Sequence, residues 1–113
     1  MTSVLEQILS EKRAHPYTPE KTIEELRTAH AAGGASVPLP EGTRYEAVDA
    51  DGVPSEWIAA EDVPDDRWFL FIHGGGYYRG SVAATRATAA RISAETRARV
   101  LSIDYRLAPE HPY

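Results

Sequence analysis

His73-Gly74-Gly75-Gly76-Tyr77-Tyr78-Arg79-Gly80-Ser81 follows at once on Arg67-Trp68-Phe69-Leu70-Phe71-Ile72. The second of these runs is short, apolar and rich in aromatic and branched residues, which is the composition of a buried strand. Beyond the glycines, Val82 to Arg99 holds no Gly or Pro and many Ala, which predicts a helix. Three consecutive glycines therefore stand where a strand hands over to a helix. Lacking a Cβ, the backbone there can take angles closed to other residues, and another group can come close to its N–H donors. Donors at such a place suit an anion, either a phosphate or the oxyanion formed when an ester carbonyl is attacked.

Downstream, Val100 to Tyr105 reads as a second strand, so residues 67–105 form a βαβ unit with parallel strands and a right-handed crossover. Ala83, Ala87, Ala90 and Ala94 recur at helical spacing, and their small size lets the helix lie close on the sheet. Arg86, Arg91, Arg97 and Arg99 read as a solvated face. Upstream, Thr43 to Ala50 and Val53 to Ala60 are strands joined by Asp51-Gly52, a two-residue hairpin turn. Pro54 predicts an edge position for the second of them, and Glu61 to Asp66 is an acidic loop. Val37 to Gly42, with two prolines, is a linker.

The N-terminal part carries two short amphipathic helices. Ser3-Val4-Leu5-Glu6 matches a capping box, Val4, Leu5, Ile8 and Leu9 form one apolar stripe, and His15-Pro16 ends the helix. Thr18-Pro19-Glu20 reads as a second start. Ile23, Leu26 and His30 give that helix a narrow face, and Gly33-Gly34 is expected to stop it. Two such helices bury little between themselves, so their faces need another partner.

The chain has 113 residues, 42% hydrophobic and 26% charged, as in an ordinary globular domain. Its net charge of -5 argues against nucleic acid or an anionic membrane as partner. Without cysteine there is no disulfide or thiolate metal site. Glu6 and Glu11 interrupt the N-terminal apolar stretch, so no signal peptide or membrane span is visible, and a cytoplasmic location is the default.

A strand ending in His-Gly-Gly-Gly, a helix, and a strand running into Asp104-Tyr105-Arg106-Leu107-Ala108-Pro109-Glu110 together resemble the hormone-sensitive-lipase-like carboxylesterases, in which an HGGG-type loop supplies the oxyanion hole. The resemblance is specific over Phe69 to Gly80 and Asp104 to Pro112. It implies an α/β fold: an α/β-hydrolase sheet begun by an N-terminal hairpin and the first βαβ unit. Residues 1–42 would be cap helices and linker, and 43–113 the first part of the hydrolase core. By position it makes the N–H groups of Gly75 and Gly76 the oxyanion donors. His73 and Gly74 become structural support for the loop, and Tyr77 and Tyr78 wall the substrate pocket. Arg106 and Glu110 would brace the loop after the strand. His15, His30 and His111 read as ordinary polar positions, and neither metal nor cofactor is implied.

No serine stands in a Gly-x-Ser-x-Gly elbow, and the family's serine, acid and histidine all follow the YRLAPE segment. The partners implied are a small-molecule ester and the C-terminal remainder of the hydrolase domain, with a homodimer left open. Thr85-Arg86-Ala87 replaces the family's frequent Thr-His-Asp near the helix start. Two other readings stand beside the esterase. One is a receptor-like binding module, since the family includes the plant gibberellin receptor, which keeps the fold without a working triad. The other is a phosphate loop, although neither Gly-rich phosphate-binding spacing is present and no lysine lies near.

Overall fold

The computed structural model describes residues 3–15 and 21–112. Helix α1 (Val4–Ala14) opens on the expected capping box, with Ser3 Oγ accepting from the Glu6 N–H at 3.1 Å and Glu6 Oε2 from the Ser3 N–H at 2.8 Å. His15 closes it, donating its N–H to Glu11 O. The stripe of Val4, Leu5, Ile8 and Leu9 is real but uncovered, and α1 buries no residue.

Helix α2 (Ile23–Ala35) begins at Thr22, whose Oγ1 accepts from the Glu25 N–H at 3.1 Å. The start expected at Thr18-Pro19-Glu20 lies outside the described residues. Gly33-Gly34 does not stop this helix, which runs on to Ala35 with Ser36 as its C-cap. Gly34 serves packing instead: a Cβ there would stand 2.1 Å from the carbonyl oxygen of Ala84. Its absence lets two helix backbones approach closely.

The hairpin forms as read. Strand β1 (Arg44–Ala50) pairs antiparallel with β2 (Val53–Ala59) around Asp51 (φ 52°) and Gly52 (φ 91°), the left-handed pair that a tight hairpin turn requires. Strand β3 (Trp68–Ile72) leads into the glycine loop, helix α3 spans Val82–Thr96, and β4 (Arg99–Ile103) lies parallel to β3. The predicted helix to Arg99 thus ends three residues earlier, where Arg97 takes a left-handed C-cap (φ 52°). Likewise the strand expected to reach Tyr105 ends at Ile103.

The sheet order is β1-β2-β4-β3. Strand β2 is therefore internal, against the edge position inferred from Pro54. The proline is tolerated because the β2–β4 register begins one residue later, at Ser55 opposite Ile103, and Pro54 only accepts, from the Asp104 N–H at 2.8 Å.

Helix α3 covers one face of this sheet. Ile58, Ala89, Ala90 and Val100 form the core, with Leu39, Phe71 and Ile92 packed around it. Of the expected alanine stripe, Ala87 and Ala90 are buried, whereas Ala83 and Ala94 face water; Val82, Ala89 and Ser93 complete the inner face. A helix so rich in alanine has little side-chain contrast to mark its phase. Ser93 is inside because it is fully bonded, donating to Ala98 O at 2.6 Å and accepting from the Ala60 N–H at 2.9 Å.

The arginines are not all solvated. Arg86 reaches the sheet and clamps the buried Glu56 through two bonds of 2.6 and 2.8 Å, with its guanidinium over the Tyr45 ring at 4.2 Å. Arg99 stacks on Trp57 at 4.4 Å and lies 3.6 Å from Asp65. Arg91 and Arg97 are exposed, as expected.

Strand β3 was expected to be buried, yet Trp68, Phe69, Leu70 and Ile72 are between 46% and 60% exposed. It is the last strand of the described sheet, paired on one side only. Trp57, Trp68, Leu70, Ile72, Leu101 and Ile103 share the sheet face opposite α3, and among the described residues no helix packs on it.

Candidate active site

The loop after β3 owes its shape to three successive left-handed residues, Gly75 (φ 136°), Gly76 (φ 63°) and Tyr77 (φ 64°). At Gly75 a Cβ would fall 2.0 Å from Arg79 O, so a side chain is excluded by space as well as by angle. Gly75 O accepts from the N–H groups of both Tyr78 (3.3 Å) and Arg79 (3.2 Å), closing the loop on itself. The N–H groups of Gly75 and Gly76 donate to no acceptor among the described residues. Both residues line an open cavity of about 470 Å³ together with Ile72, His73, Gly74, Tyr77 and Tyr105.

His73 lies beneath the loop, 2% exposed, stacked on Tyr105 at 4.4 Å between ring centres. Its Nδ1 is 2.9 Å from Gly74 O, a carbonyl that can only accept, so the proton sits on Nδ1. Tyr105 donates its hydroxyl to His73 O at 2.7 Å. Burial, and secondarily Tyr77 nearby, raises the Tyr105 phenol above its ordinary value and keeps it a donor. Gly80 completes this support, since a Cβ there would be 2.4 Å from His73 Nδ1.

Asp104 and Ser81 set the start of α3. Ser81 Oγ accepts from the Ala84 N–H at 3.0 Å, and Asp104 Oδ1 from the Val82 N–H at 2.7 Å, which puts a carboxylate at the positive end of the helix. Thr85, in the Thr85-Arg86-Ala87 stretch, bonds its hydroxyl back to Ser81 O at 2.8 Å.

The two tyrosines part company. Tyr77 is exposed and lines the cavity, and through Tyr105 it borders a second one of about 560 Å³ that reaches the β1–β2 turn, Asp104, Arg106 and His111. Tyr78 is half-buried under Gly76 with Arg79 over its ring at 5.5 Å, and it does not line the described cavity. Of the two bracing residues expected, Glu110 braces and Arg106 does not: Arg106 is exposed and unbonded among the described residues. Glu110 holds Arg27 of α2, at 2.8 and 2.9 Å, and that arginine also donates to Tyr78 O (2.6 Å) and Ala108 O (2.8 Å). Sequence reasoning missed Arg27 altogether. The only trace it leaves is a charge on an otherwise apolar helix face, one position after Leu26. His15 and His111 are exposed and His30 half-buried. Among the described residues no three His, Asp or Glu lie together as a metal site, and no helix is long and apolar enough to cross a membrane.

Known proteins are similar to this chain in sequence and in fold. Residues 69–113 match the family model of the α/β-hydrolase fold. An esterase of Acinetobacter venetianus is 40% identical over 110 residues, covering 97% of this chain and 28% of that protein. Carboxylesterase NlhH of Mycobacterium tuberculosis is 43% identical over 98 residues, covering 85% of this chain and 27% of its own length. Among solved structures, an esterase from the bacterial hormone-sensitive lipase family superposes on the whole chain with a TM-score of 0.86 and 37% identity, and the match takes up 39% of that structure. The fold is that of an α/β-hydrolase. Within that superfamily the chain is similar to hormone-sensitive-lipase-like esterases, and it spans between a quarter and two-fifths of the length of these relatives.

Proposed function

We propose that the complete protein hydrolyses carboxylic esters and that this chain contributes its oxyanion loop and part of its cap. The cap would lie within residues 1–42 and the start of the catalytic core within 43–113. A serine outside this chain bonds to the ester carbonyl carbon while a histidine takes its proton. The carbonyl electron pair moves onto oxygen, where the Gly75 and Gly76 N–H groups meet it, and the proton passes to the departing alcohol. Water then releases the acid by the same route. Tyr77 forms part of the wall facing the ester, whose acyl chain is small to medium. His73 and Gly74 hold the loop. The remainder of the hydrolase domain is the required partner, and the sheet face opposite α3 is where it would rest.

The observation that carries this reading is a pair of adjacent N–H groups without acceptors among the described residues, in residues bordering a cavity at the end of a strand. Each such donor is worth about 10²–10³ in rate when aimed at the developing oxyanion. The test is hydrolysis of p-nitrophenyl butyrate by the complete protein and by its Gly75→Pro variant. The variant loses one donor and the left-handed angle together, so turnover should fall by about 10²–10³. Unchanged turnover would show that the oxyanion assignment is wrong. The isolated 113-residue chain, lacking the serine elbow, should turn over no ester.

A further inference from the structure

Tyr105 holds the glycine loop at its His73 end, and a side chain on another element, α2, holds the other end. Arg27 stands on α2, 51 residues before Tyr78 in sequence and 81 before Ala108. Its Nε donates to Tyr78 O at 2.6 Å, and its Nη2 donates to Ala108 O at 2.8 Å. The Ala108 N–H in turn donates to Tyr77 O at 2.8 Å, so the ring Arg27, Tyr78, Tyr77, Ala108 closes on itself. Glu110 grips both terminal nitrogens of the guanidinium, at 2.8 and 2.9 Å, and fixes its plane.

What this ring holds is the peptide segment immediately after the two donors. Tyr77 is a large residue at φ 64°, a conformation that an L side chain adopts only under constraint. Its angle and that of Gly76 set where the Gly76 N–H points. Without the Arg27 bond, the half-buried carbonyl of Tyr78 has no donor, and Tyr77 has less to keep it left-handed.

We propose that Arg27 is a positioning residue for the oxyanion loop: its guanidinium ties α2 to the carbonyls of Tyr78 and Ala108 and thereby sets the aim of the Gly75 and Gly76 N–H groups. The planar fork is essential, because one group must reach two carbonyls and a carboxylate at once; a lysine ammonium can replace the charge but not the fork. The proposal rests on the esterase reading for its consequence in turnover, and on loop geometry alone for its structural part.

Two measurements on the complete protein separate these. The first is kcat and KM for p-nitrophenyl butyrate, with the affinity of an aryl boronic acid that mimics the tetrahedral adduct, in Arg27→Lys, Arg27→Ala and Glu110→Gln. Arg27→Lys should lower kcat by about tenfold or more, since small misplacement of a catalytic group is costly. KM should stay within about twofold, and boronate affinity should fall in step with kcat. Glu110→Gln keeps one acceptor for Arg27 and loses the other, so its kcat should fall, by less than in Arg27→Lys. The second is amide hydrogen exchange, which is independent of chemistry. In Arg27→Lys the Tyr78, Arg79 and Ala108 N–H groups should exchange about tenfold faster while β4 stays protected. Wild-type kcat and boronate affinity in an Arg27→Lys protein, or unchanged exchange at Ala108, overturns the proposal. An inactive wild-type protein whose Arg27→Lys variant still loosens Ala108 would refute the esterase reading and leave the positioning role standing.

Discussion

Gly80 occupies a place where no side chain fits, at φ 103° and against the His73 ring. Gly80→Ala should displace His73 from Gly74 O and Tyr105, lowering ester turnover of the complete protein together with its thermal midpoint; a variant with both at wild-type values would show that the ring is not the loop's support. Glu110 gives a pH signature at the same scale. The Arg27 guanidinium first, and its own backbone N–H second, hold its carboxyl at about 2 instead of 4.5. A carboxyl depressed in the fold binds its proton more weakly there than in the unfolded chain. Its stabilisation is therefore complete above pH 4.5 and drains away as pH falls towards 2. Glu110 keeps 54% of its side chain in water, so the effect is small and weakens with salt. Glu110→Gln should flatten the acid limb of a melting-temperature profile in that window and lower the neutral region slightly, meeting the wild type at the acid end. The glycine loop was legible because His-Gly-Gly-Gly between a strand and a helix has few other uses. Arg27 and the helix-capping role of Asp104 were not, because their partners are backbone groups far away in sequence, which no local pattern records.

Among the elements, α2 and α3 make the sharpest test. Both glycines of α2 sit in its last turn, yet Gly34 faces the Ala84 backbone and Gly33 faces open space. Gly33→Ala should raise stability by up to about 1 kcal/mol through helix propensity. Gly34→Ala should lower it by about 1–3 kcal/mol, because the backbone it meets cannot rotate away as a side chain could. Urea unfolding of the two variants reads the difference, and equal midpoints would refute the close approach. Arg86→Ala should lower stability by about 3 kcal/mol, the low end for stranding a buried charge, since Arg86 keeps 26% of its side chain in water while Glu56 is nearly enclosed. The cap of α1, the hairpin and the βαβ unit could be read from capping and turn residues and apolar runs, whereas α2 could be read as a helix but not its ends. The burial of those elements could not: alanine hides the phase of α3, and an apolar strand reads as buried whether or not anything covers it.

For the molecule as a whole, the sheet is two-faced. Helix α3 and the Ile58–Val100 core occupy one side, while Trp57, Trp68, Leu70, Ile72, Leu101 and Ile103 line the other. An apolar face of that extent is unusual on a monomer in water. The 113-residue chain by itself should bind an apolar dye and sediment as associated species, and a monodisperse monomer that ignores the dye would contradict this. The α/β class and the parallel β3–β4 pair were readable from the order of elements. The internal place of β2 was not, because a proline announces where a ladder lacks a donor and says nothing about what lies beyond.

Tyr105 reaches back 32 residues to His73, and Asp104 reaches back 22 to Val82. The glycine segment can close its own turn through Gly75 O, but the contacts that seat its two ends come from residues made later. Its seating on the sheet therefore waits for the polypeptide behind it and for β4 to dock. Any pause that delays the 104–110 stretch would leave the glycine loop unanchored at His73 and the start of α3 without its carboxylate.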